Sequence, residues 1–280
     1  MRCPSDQRRL PRCASSGLHG NIADSSSATH TVKIPDSYQP PPQLLADRVI
    51  LVTGAGDGIG RAVSLAFAAH GATVVLLGRT VAKLEQVYDR IKQAGGAEPA
   101  IYPMDLEGAV ADDYADLAGR IDGQLGRLDG LLHNAAQLGA LTAIEHYDPV
   151  TWLRVIQVNL NAPFMLTRAC LPLLKRAADA SVLFTSSGVG RRGRAYWGAY
   201  AVSKFGLEGL TQILADELEE NSSVRVNSIN PGAVRTAMRA AAYPAENRAA
   251  LPTPEEIVLP YLYLMGPDSR EVRGQALDAQ

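Results

Sequence analysis

Tyr200 and Lys204 stand four residues apart in Tyr200-Ala201-Val202-Ser203-Lys204, a spacing that places both on one face of a helix. A phenol titrates near pH 10 and is a sluggish acid at neutral pH, but a neighbouring ammonium favours the phenolate and brings that value down. Lowering it by about three units takes roughly 4 kcal/mol of differential interaction, within reach of one lysine assisted by a second positive charge. Such tuning suits general acid catalysis. Alone, the pair reads equally as a surface couple on an exposed helix. Its neighbours give it weight: Ser187 closes a predicted strand thirteen residues before Tyr200, and Asn159 lies in a long helical segment, in Gln157-Val158-Asn159-Leu160.

A second group of residues is suited to holding a nucleotide. Thr53-Gly54-Ala55-Gly56-Asp57-Gly58-Ile59-Gly60 follows a predicted strand and opens a predicted helix. In that setting glycines let the backbone approach a pyrophosphate, and the helix amino end offers it donors. A tight strand-to-helix turn also needs glycine for purely conformational reasons. Gly54, Gly58 and Gly60 fit G-x-x-x-G-x-G, not the G-x-G-x-x-G of the commoner dinucleotide fingerprint. After the second strand, where a dinucleotide fold that prefers NAD places an acid against the ribose, the chain reads Leu76-Leu77-Gly78-Arg79-Thr80. Gly78 leaves room for a phosphate and Arg79 offers it a fork of donors, which favours NADP(H) over NAD(H). Arg79 solvated at the start of a helix is the plainer reading. Asp57 pulls against a nearby phosphate, or simply caps the helix amides.

The elements that must position these groups alternate short β-branched runs with amphipathic segments from Asp47 onward, a pattern of repeated strand-helix units. Strands are predicted at 49–53, 73–77, 99–102, 128–133, 181–185, 224–229 and 275–277, and helices at 59–70, 81–94, 149–177 and 196–219. The implied α/β architecture is a single-domain, Rossmann-type, doubly wound parallel sheet with helices on both faces, binding ligands at the carboxyl ends of its strands.

Composition excludes several alternatives. The chain has 280 residues, with 27 Lys and Arg against 29 Asp and Glu, a net charge of −2 that argues against nucleic acid as a partner. Cys3, Cys13 and Cys170 form no Cys-x-x-Cys pair, and no histidines cluster at ligand spacing, so neither a disulfide framework nor a metal site is expected. The most apolar stretch, 62–77, is interrupted by Ser64, His70, Gly71 and Thr73 and falls short of a membrane span. The expected protein is soluble and cytoplasmic. Residues 1–44 are expected to be a disordered or extended segment, rich in Ser, Arg and Gly and ending in Pro40-Pro41-Pro42, with 45–280 forming the domain. Val32 would suit an alternative initiation site.

Taken together, TGAGDGIG at 53–60, HNAA at 133–136, VNL at 158–160, Ser187, YAVSK at 200–204 and NPG at 230–232 resemble the short-chain dehydrogenase/reductase family. The likeness spans residues 45–280. Within that family, LLGR, FTSSGVG and RTAMRA resemble the bacterial YciK-like oxidoreductases. The resemblance implies that Tyr200 donates the proton to a substrate carbonyl, or accepts it from an alcohol, while the nicotinamide carries hydride. It further implies that Ser187 binds the substrate oxygen, Lys204 holds the nicotinamide ribose and lowers the Tyr200 pKa, and Asn159 holds a proton-relay water. Cofactor contacts implied are Gly54, Asp57, Gly58, Ile59 and Gly60 in the turn, Arg79, Asp105 with Leu106, Asn134, Tyr200, Lys204, Pro231, Gly232 and Thr236. His133 and Ala136 depart from the Asn and Gly of the family's NNAG motif. The substrate is then a small-molecule carbonyl or alcohol.

Two rivals share the fold: a nucleotide-binding regulatory or scaffold protein, for which the catalytic group would have no chemical use, and a reductase of carbon-carbon double bonds, whose Tyr and Lys are usually spaced more widely. Arg191, Arg192 and Arg194, between Ser187 and Tyr200, would suit an anionic substrate or form a solvated loop. Residues 236–254 are expected to form a substrate lid. Apolar residues on more than one face of the helix after Tyr196, among them Phe205 and Ile213, suggest a homodimer or homotetramer.

Overall fold

The computed structural model describes residues 37–280. The segment 1–36, with Cys3, Cys13 and Val32, lies outside the described residues. Within 37–44 the chain is anchored to the domain: Tyr38 packs edge-on against Tyr263 and donates to Asp268 Oδ2 at 2.8 Å, and Leu44 is buried.

Seven parallel strands form one sheet in the order β3-β2-β1-β4-β5-β6-β7. They are β1 (Val49–Thr53), β2 (Thr73–Gly78), β3 (Ala100–Pro103), β4 (Gly130–His133), β5 (Ala180–Thr185), β6 (Val224–Asn230) and β7 (Ala276–Asp278). β1, β4 and β5 are buried at every position. Covered on both faces, they read as nearly continuous apolar runs without alternation, as central parallel strands must. The strand order reverses between β1 and β4, so the crevice at their carboxyl ends is the topological switch point where such folds bind ligands.

Helices α1 (Gly58–Ala69), α2 (Val81–Gln93) and the short α8 (Leu259–Met265) cover one face, burying Phe67, Leu84 and Met265. α3 (Ala111–Leu125), α4 (Pro149–Ile156), α5 (Ala162–Arg176) and α6 (Gly198–Glu219) cover the other, where Tyr114, Leu166 and Leu214 join the core. Cys170 belongs to this layer, and burial pushes its thiol up to about 12, in keeping with a packing role. α7 (Ala237–Ala242) lies across the carboxyl ends of the strands.

Two departures from the sequence expectation matter. α3 occupies the interval 103–127, where no helix was expected. Its buried Tyr114, Leu117, Ala118 and Ile121 have helical spacing, and Asp113 Oδ2 accepts from Val110 N at 2.8 Å to fix its start. Gly119 and Gly123 in its interior weaken the signal. The helix expected across 149–177 is three segments: α4, a five-residue π-helical stretch at Gln157–Asn161, and α5. Such π stretches are rare and concentrate at functional sites; this one contains Asn159.

Candidate active site

β5 and α6 together build the centre of the site. The chain leaves β5 through Ser186 and Ser187, turns at Gly188–Gly190, and re-enters as α6. Gly190 lets the turn lie on that helix, since a Cβ there would stand 2.7 Å from Lys204 Cβ. Gly198, with φ of +27°, starts the helix where a side chain would strike the Tyr147 ring. Tyr200 and Lys204 are therefore held side by side with only 8% and 2% exposure.

Burial pushes the Tyr200 phenol up to about 12, opposed by hydrogen bonding with Ser187. The group that opposes burial is thus Ser187, and not Lys204 as expected. Lys204 Nζ sits 5.6 Å from the centre of the Tyr200 ring and donates to Thr185 O at 2.7 Å. Burial brings Lys204 itself down to about 8, against the pull of the Glu208 carboxylate. Asn159 is fully buried and stands behind the cavity wall. Its Oδ1 accepts from Gln137 N at 2.7 Å, and its Nδ2 donates to Gln137 O at 2.9 Å and Ser203 Oγ at 3.1 Å. It thus braces the strand-end loop against α6.

The glycine turn is the other half of the site. Gly54 and Gly58 have φ of +68° and +50°, and a Cβ on Gly60 would lie 2.2 Å from Gly54 O. Gly60 is thus needed for the turn's own packing, whereas Gly58 presents bare backbone beneath Thr236. Asp57 caps α1, Oδ1 accepting from Gly58 N at 2.7 Å. Its other oxygen takes Lys83 Nζ at 2.5 Å, and that hydrogen bond, aided by the capped amide, holds the carboxyl below its usual range despite partial burial. Thr53 Oγ1 accepts from both Asn134 N and Ala135 N at 3.0 Å, tying the β1 and β4 ends together. Asp105 Oδ1 accepts from Glu107 N at 3.1 Å, Leu106 is buried, and Thr236 caps α7 by accepting from Arg239 N at 3.1 Å.

One cavity of about 540 Å³ joins the two halves. Ser187, Tyr200 and Lys204 line it, as do Gly54, Asp57, Gly58, Ile59, Arg79, Asp105, Leu106, Asn134, Pro231, Gly232 and Thr236. The residues present fit a nicotinamide dinucleotide: bare glycine backbone at a helix amino end, and the buried Ser186 Oγ on the cavity wall with no partner among the described residues. Among the described residues no group of three His, Cys, Asp or Glu side chains is arranged to hold a metal ion, and no helix is long and apolar enough to cross a membrane.

The sequence reading missed several lining residues. Lys83 stands in the first turn of α2 and reaches Asp57, a contact legible only once the start of α2 is known. Trp197 and Tyr243 line the cavity with ring centres 5.9 Å apart and planes tilted by 43°, and Arg239 lies 3.8 Å over the Tyr243 ring. The arginine run divides. Arg194 Nη1 donates to Tyr243 Oη at 3.0 Å, Arg192 is exposed, and Arg191 lies outside the cavity wall, bonded to Glu208 and the last strand. Arg191 is therefore neither an anion receptor nor a solvated loop charge. His133, at the first position of HNAA, stacks on Phe184 and bonds Thr167 Oγ1 at 2.8 Å in the core.

A family model described as short chain dehydrogenase matches residues 48–247. The chain is 51% identical over 243 residues to the uncharacterized oxidoreductase YciK of Escherichia coli K12, covering 87% of this chain and 96% of that protein. Among solved structures, a short chain dehydrogenase from Pseudomonas syringae is 59% identical with a TM-score of 0.84, covering 87% of this chain and 99% of that one. A short chain dehydrogenase from Escherichia coli CFT073 complexed with NADPH is 52% identical with a TM-score of 0.84, covering 86% and 100%.

Proposed function

The chain belongs to the short-chain dehydrogenase family, and on that footing we propose that it is an NADP(H)-dependent oxidoreductase interconverting a small carbonyl compound and its alcohol. The observation that carries this reading is the convergence of Ser187, Tyr200 and Lys204 with the glycine turn in one cavity. A scaffold protein has no use for a buried phenol beside a buried ammonium.

When bound, the nicotinamide cofactor supplies or takes up the hydride. The chain's own groups handle the proton. Tyr200 Oη donates it to the carbonyl oxygen, and Ser187 Oγ donates a hydrogen bond to the same oxygen. With its pKa near 12, Tyr200 rests as the neutral acid at physiological pH, the form that carbonyl reduction requires. Lys204, held by Thr185 O, is positioned to stabilise the phenolate left behind and to reach a ribose hydroxyl. The strand-end loop that lines the cavity at 134–138 is held in place by Asn159 and Thr53.

Preference for NADP(H) is supported by Arg79 at the exposed end of β2 without a nearby carboxylate in 76–80, by Lys83 neutralising Asp57, and by a related structure complexed with NADPH. Fluorescence titration with NADPH and NADH tests the reading: NADPH is expected to bind at least about tenfold more tightly, about 1.4 kcal/mol. Binding of neither nucleotide would return the glycine turn to a purely structural role. The exposed Leu153, Phe164, Val202, Phe205 and Ile213 on α4 to α6 we read as the face for self-association into a dimer or tetramer, checked by sedimentation.

A further inference from the structure

Arg191 leaves the turn after Ser187 and binds three acceptors on two other elements. Its Nε donates to Glu208 Oε1 at 3.0 Å, Nη1 to Asp278 Oδ1 at 3.0 Å, and Nη2 to Leu277 O at 2.8 Å. Glu208 lies one helical turn beyond Lys204 on α6, and its second oxygen accepts from Ser228 Oγ of β6 at 2.6 Å. Asp278 Oδ1 also accepts from Asn230 Nδ2 at 2.8 Å, and Asn230 Oδ1 accepts from Gly232 N at 3.1 Å. Gln280 Nε2 closes over the same turn, donating to Pro231 O at 2.6 Å and standing 2.7 Å from where a Gly232 Cβ would be.

A continuous path of hydrogen bonds thus runs from the helix bearing Tyr200 and Lys204 to the turn that lines the cofactor end of the cavity. β7, which carries Leu277 and Asp278, has only three residues and pairs with β6 alone. Strands so short have little stability of their own. Charge-assisted bonds from a partly buried guanidinium give it a second anchor. Lysine would not replace this arginine, because one ammonium cannot satisfy a carboxylate on α6 and two acceptors on β7 with the same planar geometry.

We propose that Arg191 is a positioning residue that locks the Tyr200–Lys204 helix to the Asn230–Gly232 turn through Glu208 and Asp278, so that the acid and the cofactor-binding turn keep one spacing. The idea rests on the NADP(H) reading for one of its two readouts. The other is hydrogen exchange on the protein without nucleotide.

In Arg191→Met, amides of 230–233 and 276–279 are expected to exchange at least about tenfold faster, while those of β1 and β4 keep the wild-type rate. The NADPH dissociation constant should rise about tenfold. Asp278→Asn keeps the side-chain shape and should give a smaller rise at 230–233. The double variant should be no worse than Arg191→Met, because both sever one path. Unchanged exchange at 230–233, a uniform increase over the whole sheet, or additive effects in the double variant would overturn the proposal. Failure of the wild-type protein to bind NADPH would remove the cofactor reading, while exchange would still decide the role of Arg191.

Discussion

The two ends of the sheet treat buried charge in opposite ways. At the amino ends of the strands, Arg225 is completely buried, yet its Nε bonds Asp179 Oδ1 at 3.0 Å and its terminal nitrogens bond Leu264 O, Gly266 O and Ser269 Oγ. Arg48 holds the other Asp179 oxygen and also donates to Met265 O at 3.2 Å. Burial raises the Asp179 carboxyl, but the two guanidiniums outweigh it and the net shift is downward. At the carboxyl ends, Lys204 has one backbone acceptor, Tyr200 is pushed toward its neutral form, and the Thr185 and Ser186 hydroxyls have no partner among the described residues. One end has its bonds completed by the chain, whereas the other leaves donors and acceptors for a ligand. Stability and function are thereby assigned to opposite edges of the same strands.

The largest effects should separate the ends cleanly. Tyr200→Phe is expected to cut turnover about a hundredfold to ten-thousandfold, the range contributed by a general acid, with NADPH affinity kept within about twofold. Melting temperature should hold, since the lost hydroxyl was poorly solvated. Asp179→Ala should do the reverse. It strands a fully buried Arg225 and should cost about 3–5 kcal/mol in denaturant unfolding, while turnover per folded molecule is preserved. If Asp179→Ala lowered turnover at unchanged stability, the division of labour would be wrong.

A pH-dependent effect belongs to His133, the last residue of β4, buried behind the ligand end. Burial, aided by the Lys204 charge, brings His133 down to about 3, so it stays neutral when folded. The unfolded chain takes up its proton near pH 6.5, and stability is therefore lost as pH falls from that value toward 3, with a slope of up to about 1.4 kcal/mol per pH unit. Replacing His133 with the Asn of the family motif should flatten this limb of an unfolding titration without changing stability above pH 7 in the same sense. An unaltered acid limb would mean that other groups govern it.

The central strands were legible because a parallel strand buried on both faces writes itself as an apolar run, as in Val49-Ile50-Leu51-Val52. That Ser187, Tyr200 and Lys204 line one cavity was legible because Tyr200 and Lys204 share a helix and Ser187 precedes them closely. The π stretch was not, since helical spacing continues through it. Arg191 failed to reveal itself for a different reason: its partner Asp278 is 87 residues away, on the strand at the far edge. Local pattern tells which element a residue joins, but seldom which distant element it will hold.

The smallest expected effect tests the outer rim of the ligand end, where Arg79 is exposed. An exposed guanidinium facing a phosphate is partly screened by water and salt, so its contribution should be near the lower range for charge-assisted bonds. Arg79→Ala is expected to weaken NADPH binding about tenfold, or about 1.4 kcal/mol, and to leave NADH binding unchanged because NADH lacks the extra phosphate. Raising salt from 0.05 to 0.5 M, concentrations of about one decade's span, should narrow the wild-type preference while leaving the variant's nearly flat. Lys83, engaged with Asp57 at 2.5 Å, provides the contrast. Lys83→Met would leave the Asp57 carboxylate uncompensated near the same phosphate, so its loss of NADPH affinity should be relieved by adding Asp57→Asn, whereas that second change should not rescue Arg79→Ala. Equal weakening of NADPH and NADH by Arg79→Ala would mean that the arginine supports the fold of the turn and does not read the phosphate.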